Sequence, residues 1–193
     1  LVTRRLSTHE EPEFLDVLGI LRDAHAAFTN LETTIHDCGV SPAAESGGTW
    51  MVSPPCIADE LRQAGFGLLS RANNHALDWG VEGMRETSRL LDDQGLTHAG
   101  VGEDRASARR AAIRDTPAGR VALVAVASTF PSWSRAGRAR NAIPGRPGIN
   151  PLRWASVQLL GPQALAAMGA MGAELGVAPS STDQAIRLFD TVF

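Results

Sequence analysis

Short apolar runs of strand length alternate with amphipathic helical stretches along this chain, and that alternation predicts an α/β fold. Two β-rich runs flank Thr116-Pro117-Ala118-Gly119, a hairpin signature that predicts a mixed sheet rather than a wholly parallel one. No linker-like shift in composition divides the 193 residues, so residues 1–193 are expected to form a single domain with a core of its own.

Glu13–Leu21 reads as a helix, because Phe14, Leu15, Leu18 and Leu21 fall on one stripe. Ala26–Thr29 is a buried-strand candidate that runs into Asn30-Leu31-Glu32. Asp37–Pro55 is rich in Gly, Ser and Pro and reads as a loop. Ile57–Ala64 is a helix closed by Gly65. Phe66–Ser70 is the next strand and leads into Arg71-Ala72-Asn73-Asn74-His75. Val81, Met84, Ser88 and Leu91 mark a helix that stops at Gly95, and Leu96–Ala99 is a short strand. Ala106–Ala111 reads as helical. Ala112–Arg114 and Arg120–Ala127 form the hairpin, with Val121–Val126 the clearest strand in the sequence. Thr129–Pro151 reads as loop. Pro162–Leu175 starts with Pro and is followed by Gly176, a helix with its usual punctuation, and Ser181–Phe189 reads as a last short helix.

Composition narrows the function. A net charge of −3 argues against general nucleic-acid binding, which needs a basic surface. No run of about 18 apolar residues marks a membrane-spanning helix. Leu1–Glu11 has two arginines with no apolar stretch after them, so it does not read as a signal peptide. The two cysteines, Cys38 and Cys56, are far apart and make neither a zinc pattern nor a disulfide framework; two unpaired thiols are the simpler reading. No phosphate-binding glycine loop, dinucleotide fingerprint or G-x-S-x-G elbow is present.

In α/β sheets, functional groups collect just past the C-terminal ends of strands. Two polar clusters lie there. One is Asn30-Leu31-Glu32; the other is Asn73-Asn74-His75, with Asp78 three residues on. If their strands are neighbours, both face one crevice. A carboxylate such as Glu32 is a hard cation ligand, an Asn oxygen a neutral one, and His either binds metal or moves a proton. These are ingredients of metal-assisted ester hydrolysis. The plainer readings are an Asn-Asn turn, a structural histidine, a solvated Glu32, and Asp78 as the N-cap of the helix that follows.

The segment Ala72-Asn73-Asn74-His75-Ala76-Leu77-Asp78-Trp79-Gly80, preceded by Asn30-Leu31-Glu32, resembles the paired signature of the CapA (poly-γ-glutamate capsule biosynthesis) family, within the calcineurin-like metallophosphoesterases. Trp50–Pro55, the Gly-rich Gly95–Glu103 and the Gly119–Ala122 strand entry also resemble it. The resemblance covers roughly residues 1–154. It implies an αββα metallophosphoesterase-like sandwich and a metal-dependent hydrolase acting on a phosphoester-type substrate in the service of a surface polymer. It implies Glu32 and Asn74 as ligands of divalent metal ions (Mn, Mg, Fe or Zn), His75 as the proton donor near the leaving group, and Asn30, Asn73 and Asp78 as residues that shape the site.

The family's first motif, a Gly-Asp whose Asp binds metal, has no counterpart: Leu1-Val2-Thr3-Arg4 resembles the segment just after it. Its later Gly-His-x-His loop is missing as well, since no His follows His98. The resemblance therefore implies an incomplete domain, either a fragment or a degenerate copy, and the position of Leu1 within the motif favours a fragment. A different function class stands beside the enzyme. Arg135, Arg138, Arg140 and Arg146 crowd the loop after Trp133, and guanidinium forks bind carboxylate and phosphate. Arg135 and Arg138 are candidate anion-binding residues of a non-catalytic module that holds an anionic polymer or supports an assembly. A solvated surface loop is the plainer reading of the same arginines. Nothing in these residues sets a localisation.

Overall fold

A computed structural model of the chain describes residues 2–37, 39–154 and 162–174. The chain divides into two compact units, Leu1–Leu152 and Arg153–Phe193. In the first unit, helix α1 (Pro12–Asp23) leads to strand β1 (Ala27–Asn30). Strands β2 (Thr34–Ile35) and β3 (Val52–Ser53) follow, then helix α2 (Cys56–Ala64), strand β4 (Phe66–Ser70), helix α3 (Gly80–Asp93), β5 (Thr97–Ala99) and β6 (Val101–Gly102). A four-residue helix α4 (Arg105–Ala108) precedes hairpin β7 (Ala112–Thr116) and β8 (Gly119–Leu123), and β9 (Gly148–Ile149) comes last.

The α/β expectation holds, with the mixing distributed among small sheets. The three-stranded sheet, in order β1-β4-β5, is parallel throughout. Antiparallel pairing occurs in separate two-stranded sheets, β7–β8 and β6–β9, and β2–β3 is a further parallel pair. The hairpin stays outside the main sheet because only one side of it is covered. Ala112, Arg114 and Thr116 are half-buried while Ile113 and Asp115 are exposed, the pattern of a ribbon lying against a core rather than within one. The run Val121–Val126 leaves the ladder at Leu123. Beyond it Val124 and Val126 are exposed, Ala125 and Ala127 are buried, and the backbone is served instead by Asn150 and Leu152: Asn150 Nδ2 donates to Ala125 O at 2.8 Å, and Leu152 N to Ala127 O at 2.7 Å.

Helices α2 and α3 supply the crossovers that parallel strands require. Ile57 and Leu61 of α2, Leu91 of α3, and Leu31, Leu69 and Leu96 at the sheet form the main apolar cluster. Each such side chain contributes about 1.5–3 kcal/mol when fully buried. Gly65 ends α2 in the left-handed region at φ 104°, and a Cβ there would meet the backbone of Leu21 and Arg22 at about 3 Å; only glycine fits both demands. A second cluster, rich in alanine, packs Ala72, Ala76, Leu77 and Met84 against Ala125 and Ile149. Between the clusters the Arg71 guanidinium is buried, donating to Ser88 Oγ at 2.6 Å and to Met84 O at 3.1 Å. Burial pushes its pKa down to about 9, which leaves it charged at neutral pH.

In the second unit, α5 (Pro162–Glu174) is described, with Pro at its first position as expected. Ser181–Phe189, Leu1 and Cys38 lie outside the described residues, so a Cys38–Cys56 bridge does too. Among the described residues Cys56 is a free, half-buried thiol, and no helix is long and apolar enough to cross a membrane.

Candidate functional site

Strands β1 and β4 are neighbours, and their last residues pair: Asn30 with Ser70, which pairs in turn with Ala99 of β5. The two polar clusters therefore leave the sheet side by side. Asn73 links them. Its Nδ2 donates to Asn30 Oδ1 at 3.2 Å and to Leu31 O at 2.8 Å, and its Oδ1 accepts from His75 N at 3.1 Å. Asn30 Nδ2 donates to Glu32 Oε2 at 3.2 Å. Asn73 is buried, while Asn30 and Glu32 are exposed. A cavity of about 440 Å³, lined mainly by apolar side chains of α1 and α2, opens beside Asn30, Glu32 and Thr33.

His75 and Asp78 form a buried pair, with His75 Nδ1 2.7 Å from Asp78 Oδ2. Both are nearly closed to solvent, at 5% and 1% exposure. Asp78 does more than face the ring. Its Oδ1 accepts from Gly47 N at 3.0 Å and its Oδ2 from Met51 N at 2.8 Å, and its main-chain oxygen accepts from Ala43 N at 2.8 Å. One carboxylate thus ties the loop before β3 to the imidazole. The loop returns the contact through Asn74 Nδ2, which donates to Gly47 O at 2.7 Å. A Cβ at Gly47 would overlap the Asn74 carbonyl, and one at Gly48 would sit 3.9 Å from His75 Cε1, so the glycines let this segment lie directly over the site. The residue capping α3 is Trp79, without a side-chain cap bond. Asp78 is not the N-cap, because its carboxylate is already engaged.

A carboxylate only accepts hydrogen bonds, so the contact requires a proton on His75 Nδ1. Nε2 is then the ring nitrogen available for proton transfer, and Asp78 fixes both tautomer and ring orientation. This is the arrangement by which an acidic residue orients a general acid or base.

A divalent cation fits less well. Glu32 and Asn74 offer two oxygen donors, and among the described residues no three His, Cys, Asp or Glu side chains converge to hold a metal ion. These residues do not by themselves make a two-cation centre, which needs several donors for each ion. Arg135 and Arg138 lie elsewhere, on a hairpin whose backbone pairs Arg135 with Ile149 and Gly137 with Arg146. Thr129–Pro151 was expected as plain loop; it contains β9 and these bridges, and Arg146 Nε and Nη2 both donate to Arg135 O, at 3.1 and 3.0 Å.

His9 and His25 are exposed, while His36 and His98 are packed inside. His36 is buried, its ring edge-on to Trp79 with centroids 4.8 Å apart, and burial lowers its pKa. His98 faces Asp92 at 3.3 Å. Burial, followed by the positive charge of Arg71, pushes it down to about 4, with Asp92 opposing. The sequence reading missed the part played by Gly47 and Met51, whose main-chain groups carry no signal. The adjacent Gly47-Gly48 was the hint, marking a segment that approaches another backbone closely.

Residues 3–175 match the family described as bacterial capsule synthesis protein PGA_cap. Two proteins of Sinorhizobium fredii, described as uncharacterized proteins y4sH and y4uA, are each 48% identical to this chain over 156 residues, 79% of this chain and 34% of theirs. The capsule biosynthesis protein CapA of Bacillus anthracis is 28% identical over 91 residues, 47% of this chain and 21% of CapA. The chain thus spans about a third of the length of the Sinorhizobium relatives.

Proposed function

The chain belongs to the bacterial capsule synthesis protein family PGA_cap, and from that premise we propose that it serves the making or processing of a surface polymer such as poly-γ-glutamate, with a phosphoester-type bond cut or transferred at the joined ends of β1 and β4. The observation that carries this reading is the buried His75–Asp78 pair, 2.7 Å apart, at the end of a parallel sheet where such chemistry gathers. Asp78 accepts the Nδ1–H of His75 and steadies its imidazolium form, whose Nε2–H passes to the departing oxygen as water or an acceptor hydroxyl attacks the phosphorus; a positioned acid of this kind contributes roughly 10²–10⁴-fold to a rate. Asn73 keeps the two strand-end loops in register, and Asn30 holds the Glu32 carboxylate beside them. The metallophosphoesterase-like arrangement belongs to this reading as well.

A divalent cation is an expectation brought by the family, with Glu32 and Asn74 as its donors. Two donors fall short of a two-cation centre, and the chemistry assigned to His75 and Asp78 does not pass through one. Substrate reaches His75 only if the Gly47–Met51 segment shifts, because the ring is 5% exposed. Turnover of bis(p-nitrophenyl) phosphate by the chain, assayed with and without manganese, tests the reading. Expected is turnover that falls by about a hundredfold or more in His75→Gln; turnover indifferent to His75→Gln sinks it. Manganese retained after buffer exchange by the parent, and lost in both Glu32→Ala and Asn74→Ala, would assign a cation to these loops.

A further inference from the structure

Charge is segregated along the first unit. Residues 1–104 carry 17 acidic side chains against 7 arginines, whereas residues 105–152 carry 9 arginines against one aspartate, Asp115. That aspartate is paired with Arg120 at 2.9 Å. The net charge of −3 hides this division.

The fold brings the two arginine-rich stretches together. Arg105 N, at the start of α4, donates to Gly137 O at 3.0 Å. Gly137 and Arg146 exchange backbone bonds at 2.8 and 3.3 Å, and Arg140 and Ile143 close the tip of the hairpin with bonds of 3.0 and 2.7 Å. Gly145 lies against Asp104, the residue that caps α4. The chain around Arg105, Arg109 and Arg110 is thereby joined to the hairpin that carries Arg138, Arg140 and Arg146. Arg109, Arg110, Arg138, Arg140 and Arg146 are exposed.

The nearby acids are already committed. Asp104 accepts from Ser107 N and Ser107 Oγ, at 2.7 and 2.6 Å, and Glu103 accepts from Arg85 Nε at 2.9 Å. Among the described residues none of the six arginines has a carboxylate within 4.0 Å, and Arg105 Nε is buried with no hydrogen-bond partner. Gathered like charges repel, and a multivalent counter-ion relieves them.

We propose that the arginines around α4 and those of the 138–146 hairpin form one binding surface for a linear polycarboxylate. Each guanidinium fork matches a carboxylate in two parallel bonds, and several forks on one surface suit a chain that repeats the group. Single-stranded nucleic acid fits poorly. It needs aromatic rings on which bases stack, and residues 135–149 contain none. The surface shares no residue with the His75–Asp78 pair. It rests on the surface-polymer reading only for the choice of probe.

The test is fluorescence anisotropy of labelled poly-γ-glutamate with the whole 193-residue chain, across a salt titration. Charge-matched inorganic polyphosphate and single-stranded oligonucleotide serve as competing probes. Expected is binding that weakens steeply with salt and falls by roughly tenfold in Arg138→Gln/Arg140→Gln, and similarly in Arg109→Gln/Arg110→Gln. His75→Gln should bind like the parent, which separates this surface from failure of the hydrolytic reading. Arg4→Gln/Arg5→Gln, two exposed arginines with no ion pair among the described residues, is the charge control, and every variant is checked for an unchanged unfolding midpoint. No binding by the parent at low salt overturns the proposal. So does equal loss in that control, or tighter binding of either phosphate probe.

Discussion

Two regions hang from the same end of the β1–β4–β5 sheet and are built in opposite ways. At the end of β4, side chains hold backbone: Asp78 accepts from Gly47 N and Met51 N, and Asn74 donates to Gly47 O. Beyond β5, Gly100 O accepts from Asn150 N, β6 pairs with β9, and the arginine hairpin follows. There backbone holds backbone, and most of the charged side chains are left to solvent. The first design places reactive groups firmly and depends on them for its structure. The second presents charges whose removal costs the fold little. Function and stability are therefore coupled in one region and separable in the other.

The coupling is broken most severely at Asp78. Asp78→Ala leaves the half-buried N–H groups of Gly47 and Met51 and the buried His75 ring without their acceptor. Losing one member of such a buried network costs about 3–5 kcal/mol. Asp78→Asn keeps the shape and one acceptor oxygen, so a smaller loss, about 1–3 kcal/mol, is expected. Urea unfolding monitored by tryptophan fluorescence measures both. A loss below about 1 kcal/mol in Asp78→Ala would mean that the loop before β3 is held by something other than this carboxylate.

Next in size is a pH effect on β5, the strand that leads into the second region. His98 has its pKa lowered to about 4 by burial and by Arg71. The unfolded chain therefore binds a proton near pH 6.5 that the folded chain refuses. This contribution is fully present above pH 6.5 and is lost as pH falls towards 4, to the extent of at most about 3 kcal/mol. His36 is shifted in the same direction, so His98→Gln should flatten only part of the stability–pH curve between 6.5 and 4. A curve of unchanged slope in that variant would clear His98 of the effect.

How much of this was legible follows from length and partner. Phe66–Ser70 and the helix ending at Gly65 were readable because a continuous apolar run and a glycine stop are local signals. Strands β2, β3, β6 and β9 have two residues each, too few for any periodicity; tertiary pairing alone creates them. Val121–Val126 was over-read, since β propensity continues past Leu123 but the partner strand does not. At the site, the residue types and their place after β1 and β4 were visible. The service of Asp78 to a loop about thirty residues earlier was not, because main-chain donors at Gly47 and Met51 look like any others. The arginine surface was visible only in half: the hairpin residues stood out, while Arg105, Arg109 and Arg110 join them through the single backbone bond from Arg105 to Gly137.

Gly47→Ala tests the coupled region from its other side. The added methyl meets the Asn74 carbonyl, and overpacking of this kind costs about 1–3 kcal/mol. The damage should also reach chemistry, because Asn74 and His75 move together on one short segment. A loss of stability with turnover unchanged would show that the loop is only packing.

The smallest expected effect is the most discriminating. Arg138→Gln/Arg140→Gln alters two exposed side chains that make no ion pair among the described residues, on a hairpin held by main-chain bonds. Its stability should stay within about 0.5 kcal/mol of the parent. Relief of repulsion among the clustered cations would push the change towards stabilisation, most visibly at low salt, where charges interact over a longer range. Thermal unfolding of the variant at low and moderate salt measures this. A variant more stable at low salt, with the gain shrinking as salt rises, would show that the arginines are held together against their mutual repulsion. A loss above 1 kcal/mol would mean that these side chains hold the hairpin after all, and the separation between the two regions would fail.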